Sequence, residues 1–225
     1  MEQTENKTAN ALVAQFILSH RKVLIGILVV LLTSAAAVGV TLSVLSVQKE
    51  KGLVKLDSIE FELTKLKDAE ADKQKKAELL EELKTLVETT SGVVKTRSAM
   101  AFANAVFADG EHEKARTYWL TAADSQKDAY TSFICLYNAA VCSEELNDAE
   151  TAVRYFDEAA QHKDFPLAAR ALFNAARIEE GRGNYAQAVE KYEKLNAEYA
   201  DFAASDWGNL AKSRVIALRA AGKVH

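Results

Sequence analysis

A small set of basic and amide side chains carries the recognisable chemistry of this chain. Arg170 and Arg177 are seven residues apart, so on a helix they share one face. That face could receive an acidic side chain or a C-terminal carboxylate through charge-assisted hydrogen bonds. Asn138 and Asn174 carry amides that could hydrogen-bond an extended peptide backbone. Cys135 and Cys142 are also seven apart, which separates their Cα atoms by about 10 Å along a helix, beyond disulfide reach. They read as buried small apolar residues. His20, His112, His162 and His225 are scattered and lack metal-ligand spacing, so no metal is expected. There is no glycine-rich phosphate loop, nucleophile elbow or paired-carboxylate constellation. The expectation is a protein that is not an enzyme and uses no cofactor.

The elements that position these residues follow from composition. Only nine Gly and one Pro occur in 225 residues. Folds with many strand reversals need more turn residues than that, so the fold class is all-α. Lys and Arg number 28 against 32 Asp and Glu, a net charge of -4, which argues against a nucleic-acid-binding body. These charges are unevenly placed: none falls between Val23 and Val47.

As a helix that 25-residue run spans roughly 38 Å, more than a hydrocarbon core of about 30 Å, and predicts a single transmembrane helix. A cleaved signal peptide is the competing reading, with Arg21 and Lys22 ending its basic region and Ala35-Ala36-Ala37 as the cleavage site. The apolar run continues past Ala37 to Val47, which favours an uncleaved anchor. Two basic residues precede the run (Arg21, Lys22) and three follow it (Lys49, Lys51, Lys55), so flanking charge leaves orientation open. Leu12, Val13, Phe16 and Ile17 form a short apolar face that either lies in the interface or extends the anchor.

From Leu53 to Ser91 there is no Gly or Pro, and Lys, Glu, Leu and Ala dominate. Steps of three and four place Leu56, Ile59, Leu63, Leu66, Glu70, Lys73, Ala77, Leu80, Lys84 and Val87 on one seam, interrupted at Glu70 and Lys73. The segment is therefore one long helix with coiled-coil character or two helices folding back near Ala69 to Lys75. Either way it is a charged helical stalk.

Self-comparison reveals a repeat. Leu136-Tyr137-Asn138-Ala139-Ala140 recurs as Leu172-Phe173-Asn174-Ala175-Ala176, then as Trp207-Gly208-Asn209-Leu210-Ala211, and Ala99-Met100-Ala101-Phe102-Ala103 occupies the same place earlier. Downstream of the first three units lie Gly110, Asn147 and Gly183, then Ala115, Ala152 and Ala188, then Trp119, Phe156 and Tyr192. Each unit reads as helix, tight turn, helix. The alanines allow close helix approach, the aromatics fill the space between neighbours, and Gly110, Asn147 and Gly183 fall where a helix ends left-handed. Pro166 precedes the next helix near its first turn. Such units must stack, because one pair cannot bury its own apolar face. A last solitary helix, Ser205 to Ala220, caps the series.

With Gly183-Asn184-Tyr185-Ala186-Gln187-Ala188 as its best match, this pattern resembles the tetratricopeptide repeat family. The resemblance runs from about Thr96 to Gly222 and implies a solenoid of helical hairpins. It further implies a peptide-binding groove lined by the first helix of each unit, with contacts at the second, fifth, sixth and ninth positions. Those are Arg97, Met100, Ala101 and Asn104, then Ile134, Tyr137, Asn138 and Val141, then Arg170, Phe173, Asn174 and Arg177. Among them Arg97, Asn104, Tyr137, Asn138, Arg170, Phe173, Asn174 and Arg177 are the candidate binding residues. The alternative role for the asparagines is to tie neighbouring helices together, and for the arginines to be solvated.

The arrangement divides into an N-terminal tail (1–22), a transmembrane helix (23–47), a stalk (48–95) and the repeat domain (96–225). It resembles the bacterial inner-membrane family of ancillary SecYEG translocon subunits, the YfgM type, by architecture more than by diagnostic residues. That likeness implies a periplasmic repeat domain that contacts translocon subunits or periplasmic chaperones. The expected function is a membrane-anchored protein-interaction scaffold for proteins or extended peptides, without nucleic acid. The alternative is a structural, homo-oligomerising stalk or spacer of the cell envelope.

Overall fold

The computed structural model describes residues 2–66, 70–127, 129–162, 165–199 and 206–224, with side chains from residue 11 onward apart from those of residues 70 and 71. Among them the fold is all-α. The nine helices among these residues are, in chain order, α1 (Glu2–Lys65), α2 (Glu70–Thr89), α3 (Gly92–Ala108), α4 (His112–Ser125), α5 (Tyr130–Glu145), α6 (Ala149–Ala159), α7 (Ala168–Gly181), α8 (Tyr185–Glu198) and α9 (Asp206–Ala220). The chain falls into two units, Met1–Lys51 and Gly52–His225.

In the first unit the apolar run lies wholly within α1 and is long and apolar enough to cross a membrane. Apart from the half-buried Leu24, its Leu, Ile and Val side chains are exposed. Three hydroxyls inside the run turn back onto their own helix: Thr33 donates to the Val29 carbonyl at 3.0 Å, Thr41 to Ala37 at 2.9 Å and Ser43 to Gly39 at 2.9 Å. A hydroxyl satisfied in this way imposes little penalty in hydrocarbon.

The second unit is a TPR-like solenoid in which consecutive helices pack pairwise: α3 on α4, α5 on α6, α7 on α8, with α9 against α8 and α7. The small residues decide how closely each pair approaches. Ala103, Ala140 and Ala176, and opposite them Ala115, Ala152 and Ala188, are all fully buried. Trp119, Phe156 and Tyr192 are buried as well, at one equivalent position per unit. Three turns share one hydrogen-bond pattern. Gly110, Asn147 and Gly183 have φ of 78°, 57° and 82°. Their amides bond back to Phe107, Glu144 and Glu180, while the next amides bond to Val106, Ser143 and Glu179. This paired closure satisfies the helix-terminal carbonyls and requires the left-handed residue. The same closure follows α9, through Gly222 and Lys223. α9 begins at Asp206; Ser205, where the sequence places its start, lies outside the described residues.

Between Leu53 and Ser91 the chain forms two helices, the end of α1 and α2, and both contribute to the core of the second unit. Leu56 and Ile59 are buried, as the seam requires. Beyond the break the seam is kept only in part: Val87 is buried and Leu80 half-buried against the core, as placed, but Ala77 is exposed, Lys84 is half-buried, and the buried stripe runs through Leu79, Leu83 and Leu86, each one residue off the seam. The reason is that helical register is not carried across the interruption, so α2 selects its own apolar stripe, which packs on α3. Gly52 sits against α3, where an added Cβ would meet Val94 Cγ1 at 2.9 Å.

Candidate peptide-binding site

The candidate residues lie on α3, α5 and α7, the first helices of the three units. Four of them converge. Tyr137 on α5 is buried edge-on against Phe156 at 5.2 Å and accepts a 3.1 Å hydrogen bond from Asn174 Nδ2 on α7. The Arg170 guanidinium, from the first turn of α7, lies 5.6 Å from the Tyr137 ring centroid and 5.6 Å from that of Trp207 on α9. Phe173 is buried between Tyr192 at 5.4 Å and Trp207 at 5.2 Å. Burial pushes the Tyr137 phenol above its ordinary range, against the opposing pull of Arg170 and Asn174. The cluster therefore ties three successive first helices together through aromatic faces and one neutral hydrogen bond.

The other candidates are placed differently. Arg177 donates to both carboxylate oxygens of Glu144 on α5, each at 2.7 Å. Arg97 donates to Asp57 at 2.9 Å and Glu60 at 2.7 Å on the end of α1. Asn104 is exposed and Asn138 half-buried, and neither makes a hydrogen bond among the described residues. Among these residues, no hydrogen bond or ring contact joins Arg97 or Asn104 to the Tyr137 cluster.

Charge pairing between neighbouring units was not foreseen from the sequence. On the first helices Glu144 pairs with Arg177, and Glu180 pairs with Arg214 of α9. Elsewhere Lys76 pairs with Asp109, Arg116 with Asp148 at 2.9 Å, and Lys191 with Asp157. Their sequence separations, 33 and 34 on the first helices and 33, 32 and 34 elsewhere, are close to one repeat. Opposite charges recurring one period apart were the available signal. Glu180 also accepts from the buried Tyr192 hydroxyl at 3.1 Å. The Arg214 hydrogen bond, aided by Tyr192, holds the Glu180 carboxyl below the usual glutamate range despite partial burial.

The cysteines lie buried on α5. Burial pushes the Cys135 thiol up to about 12 and Cys142 to about 11, so neither has thiolate character near neutrality. Among the described residues no group of His, Cys, Asp and Glu is arranged to hold a metal.

No family model matches the chain. A TPR repeat-containing protein from Treponema pallidum (strain Nichols) is 38% identical over 120 residues, which are 53% of this chain and 49% of that relative. The chain thus spans about half the length of the curated relative it matches. Two crystal structures of the nearly identical TPR-like repeats of a putative kinesin light chain from Podosopora anserina, one of them a single-substitution form, share the fold at a TM-score of 0.54. Each is 15% identical and covers 76% of this chain and 86% of the solved one. These likenesses support the tetratricopeptide-repeat family. They bear on the repeat fold and leave the partner open.

Proposed function

We propose that this protein is a membrane-anchored protein-interaction scaffold whose stacked first helices receive an extended segment of a partner. The observation that carries the reading is the row itself: α3, α5, α7 and α9 carry successive copies of one pattern, and among the described residues Asn104 and Asn138 leave amide groups uncommitted on it. An extended segment presents a backbone donor and acceptor at each residue, which such amides can meet. The apolar run of α1 would hold the repeats at a bilayer, raising their effective concentration toward membrane-bound partners. The finer form of the proposal is an accessory of the bacterial secretion translocon or of the periplasmic chaperone network, with the repeat domain in the periplasm. It rests on the architectural resemblance drawn from the sequence.

Crosslinking in intact membranes followed by co-purification tests the partner class. Recovery of a translocon subunit or periplasmic chaperone is expected, and their absence from the crosslinked products overturns the finer form. Protease accessibility of the repeats in spheroplasts tests orientation: digestion supports a periplasmic domain, and protection until lysis refutes it.

A further inference from the structure

Each hairpin of the solenoid covers one face of its first helix with its second. Phe102 on α3 marks that face: it is buried and stacks on Tyr118 of α4, with ring centroids 4.0 Å apart. One and two repeats later the same register is held by Ala139 and Ala175, each fully buried, whereas in α9 it is held by Leu210, which is 46% exposed. Cys135 and Ala171, also fully buried, likewise correspond to Asp206, which is exposed. α9 nonetheless ends as α3, α5 and α7 end, in a left-handed residue with paired closure. Among the described residues, α9 is thus a first helix without the second helix that its register accommodates. Leu210, Ser213, Ile216, Ala217 and Ala220 stand exposed on the uncovered side.

Charge is sorted along this helix. Asp206 lies in its first turn, Lys212, Arg214 and Arg219 follow, and Lys223 lies just beyond its end. Arg214 and Arg219 are turned onto Glu180 and Glu193 of this chain, so they do not crowd the uncovered face. A helix with the same order of charge, laid antiparallel on that face, sets its acidic end beside the basic one and opposes the two helix dipoles favourably. We propose that a second copy of this chain covers the face, α9 against α9 across a two-fold axis at Ser213. The axis follows from spacing. Leu210 and Ala217 lie three and four residues to either side of Ser213 on one edge of the face, so each Leu210 meets Ala217 of the second copy, a large side chain against a small one. Asp206 of each copy then lies beside the last turn of the other, next to its Lys223. A parallel pair would instead set each charge against its like. One face of a fifteen-residue helix, about 22 Å long, falls short of the roughly 1,200 Å² that stable interfaces bury. The pair is therefore weak in dilute solution and forms where chains are concentrated, as anchoring in one bilayer concentrates them.

The test is disulfide crosslinking of the full chain in phosphatidylcholine vesicles, oxidised with copper phenanthroline. The wild type, whose two cysteines are buried, is expected to stay at 24.7 kDa. Ser213→Cys is expected to give a product of twice that mass. Leu210→Cys and Ala217→Cys should each fail to do so alone, because the two copies of either residue lie about 9–12 Å apart along the helix axes, and should link to one another when mixed. Adding Leu210→Glu to Ser213→Cys should lower the yield at least about fivefold, since it puts an unpaired carboxylate into the contact. Circular dichroism melts establish that each variant folds; should Leu210→Glu not fold, Ala217→Glu carries the comparison. Absence of the doubled product from Ser213→Cys overturns the inference, and so does self-linkage of Leu210→Cys, which would mean a parallel pair. In membranes of cells that express the chain, linkage of Ser213→Cys to a different protein in place of the second copy overturns it too. Flotation with the vesicles reports anchoring separately. A chain that does not float refutes the anchor, and the same crosslinks are then read in free solution at rising chain concentration, with the same outcomes deciding.

Discussion

Glu180 is one of the points where the last helix is held to the solenoid, so Glu180→Gln gives a quantitative test of how the repeats couple. Its carboxylate accepts from Arg214 on α9 and from the Tyr192 hydroxyl on α8. The Glu180 side chain is 14% exposed and that of Arg214 is 47% exposed. The half-exposed guanidinium is screened by solvent, which places the pair near the upper end of surface values, about 1 kcal/mol. Glutamine keeps the shape and an acceptor for Tyr192, so that loss is essentially the charge. Glu180→Ala also leaves a fully buried tyrosine hydroxyl without a partner and should cost about 2–3 kcal/mol. Because α9 packs chiefly on α7 and α8 among the described helices, the loss should appear as local opening. Hydrogen exchange of α9 amides is expected to accelerate about fivefold in Glu180→Gln, the rate equivalent of about 1 kcal/mol, with α3 to α6 unchanged. A double-mutant cycle with Arg214→Gln should return a coupling close to the whole single-mutant effect. The lowered Glu180 pKa adds a pH signature. The stabilisation is complete above the ordinary glutamate range of about 4.3 and is lost as pH falls through the lower folded value. Protection of α9 in the wild type should fall there, and Glu180→Gln should lack that component. Uniform acceleration across all helices, or none in α9, would refute the nearest-neighbour reasoning.

Three further outcomes follow from the packing. Leu83→Ala on α2 removes a fully buried side chain and should destabilise the second unit by about 2–5 kcal/mol, read from urea unfolding of the full chain in micelles; a cost under about 0.5 kcal/mol would mean that α2 is not part of the core. Gly183→Ala forces a Cβ into a left-handed position and should cost about 1–2 kcal/mol, although no atom lies within 4 Å of the new group, so a neutral thermal melt would contradict the turn geometry. Cys135 and Cys142 should resist iodoacetamide at about pH 8 in the folded protein and react readily in denaturant, where their thiols titrate near the ordinary value; fast labelling of the native state would show that α5 is not buried as described.

The parts of the fold that repeat were legible because each rests on a residue type whose role is local or periodic. Alanines at one spacing and aromatics at another can serve only close-packed hairpins, and a Gly or Asn at the third mark is what a left-handed helix end selects. The stalk was less legible. Its seam holds as buried positions at Leu56 and Ile59 and as half-buried ones at Leu63 and Leu66, but register beyond a break depends on where the next helix finds an apolar neighbour, and α3 made that choice for Leu79, Leu83 and Leu86. The candidate site was legible as a set of positions but not as a set of free groups. Arg170 and Arg177 look equivalent on a helical face, and only the tertiary arrangement assigns Glu144 to one and two aromatic rings to the other.

By itself, then, the sequence determined an uncharged segment long enough to cross a bilayer and a run of helix, turn and helix that has to stack. Both are consequences of composition and spacing, which act within one element or between adjacent ones. What the tertiary structure decided is which charges are already spent inside the chain. Pairing of a guanidinium with a carboxylate one repeat away depends on inter-helix distances of a few ångströms, and Coulomb and hydrogen-bond energies fall off on that same scale.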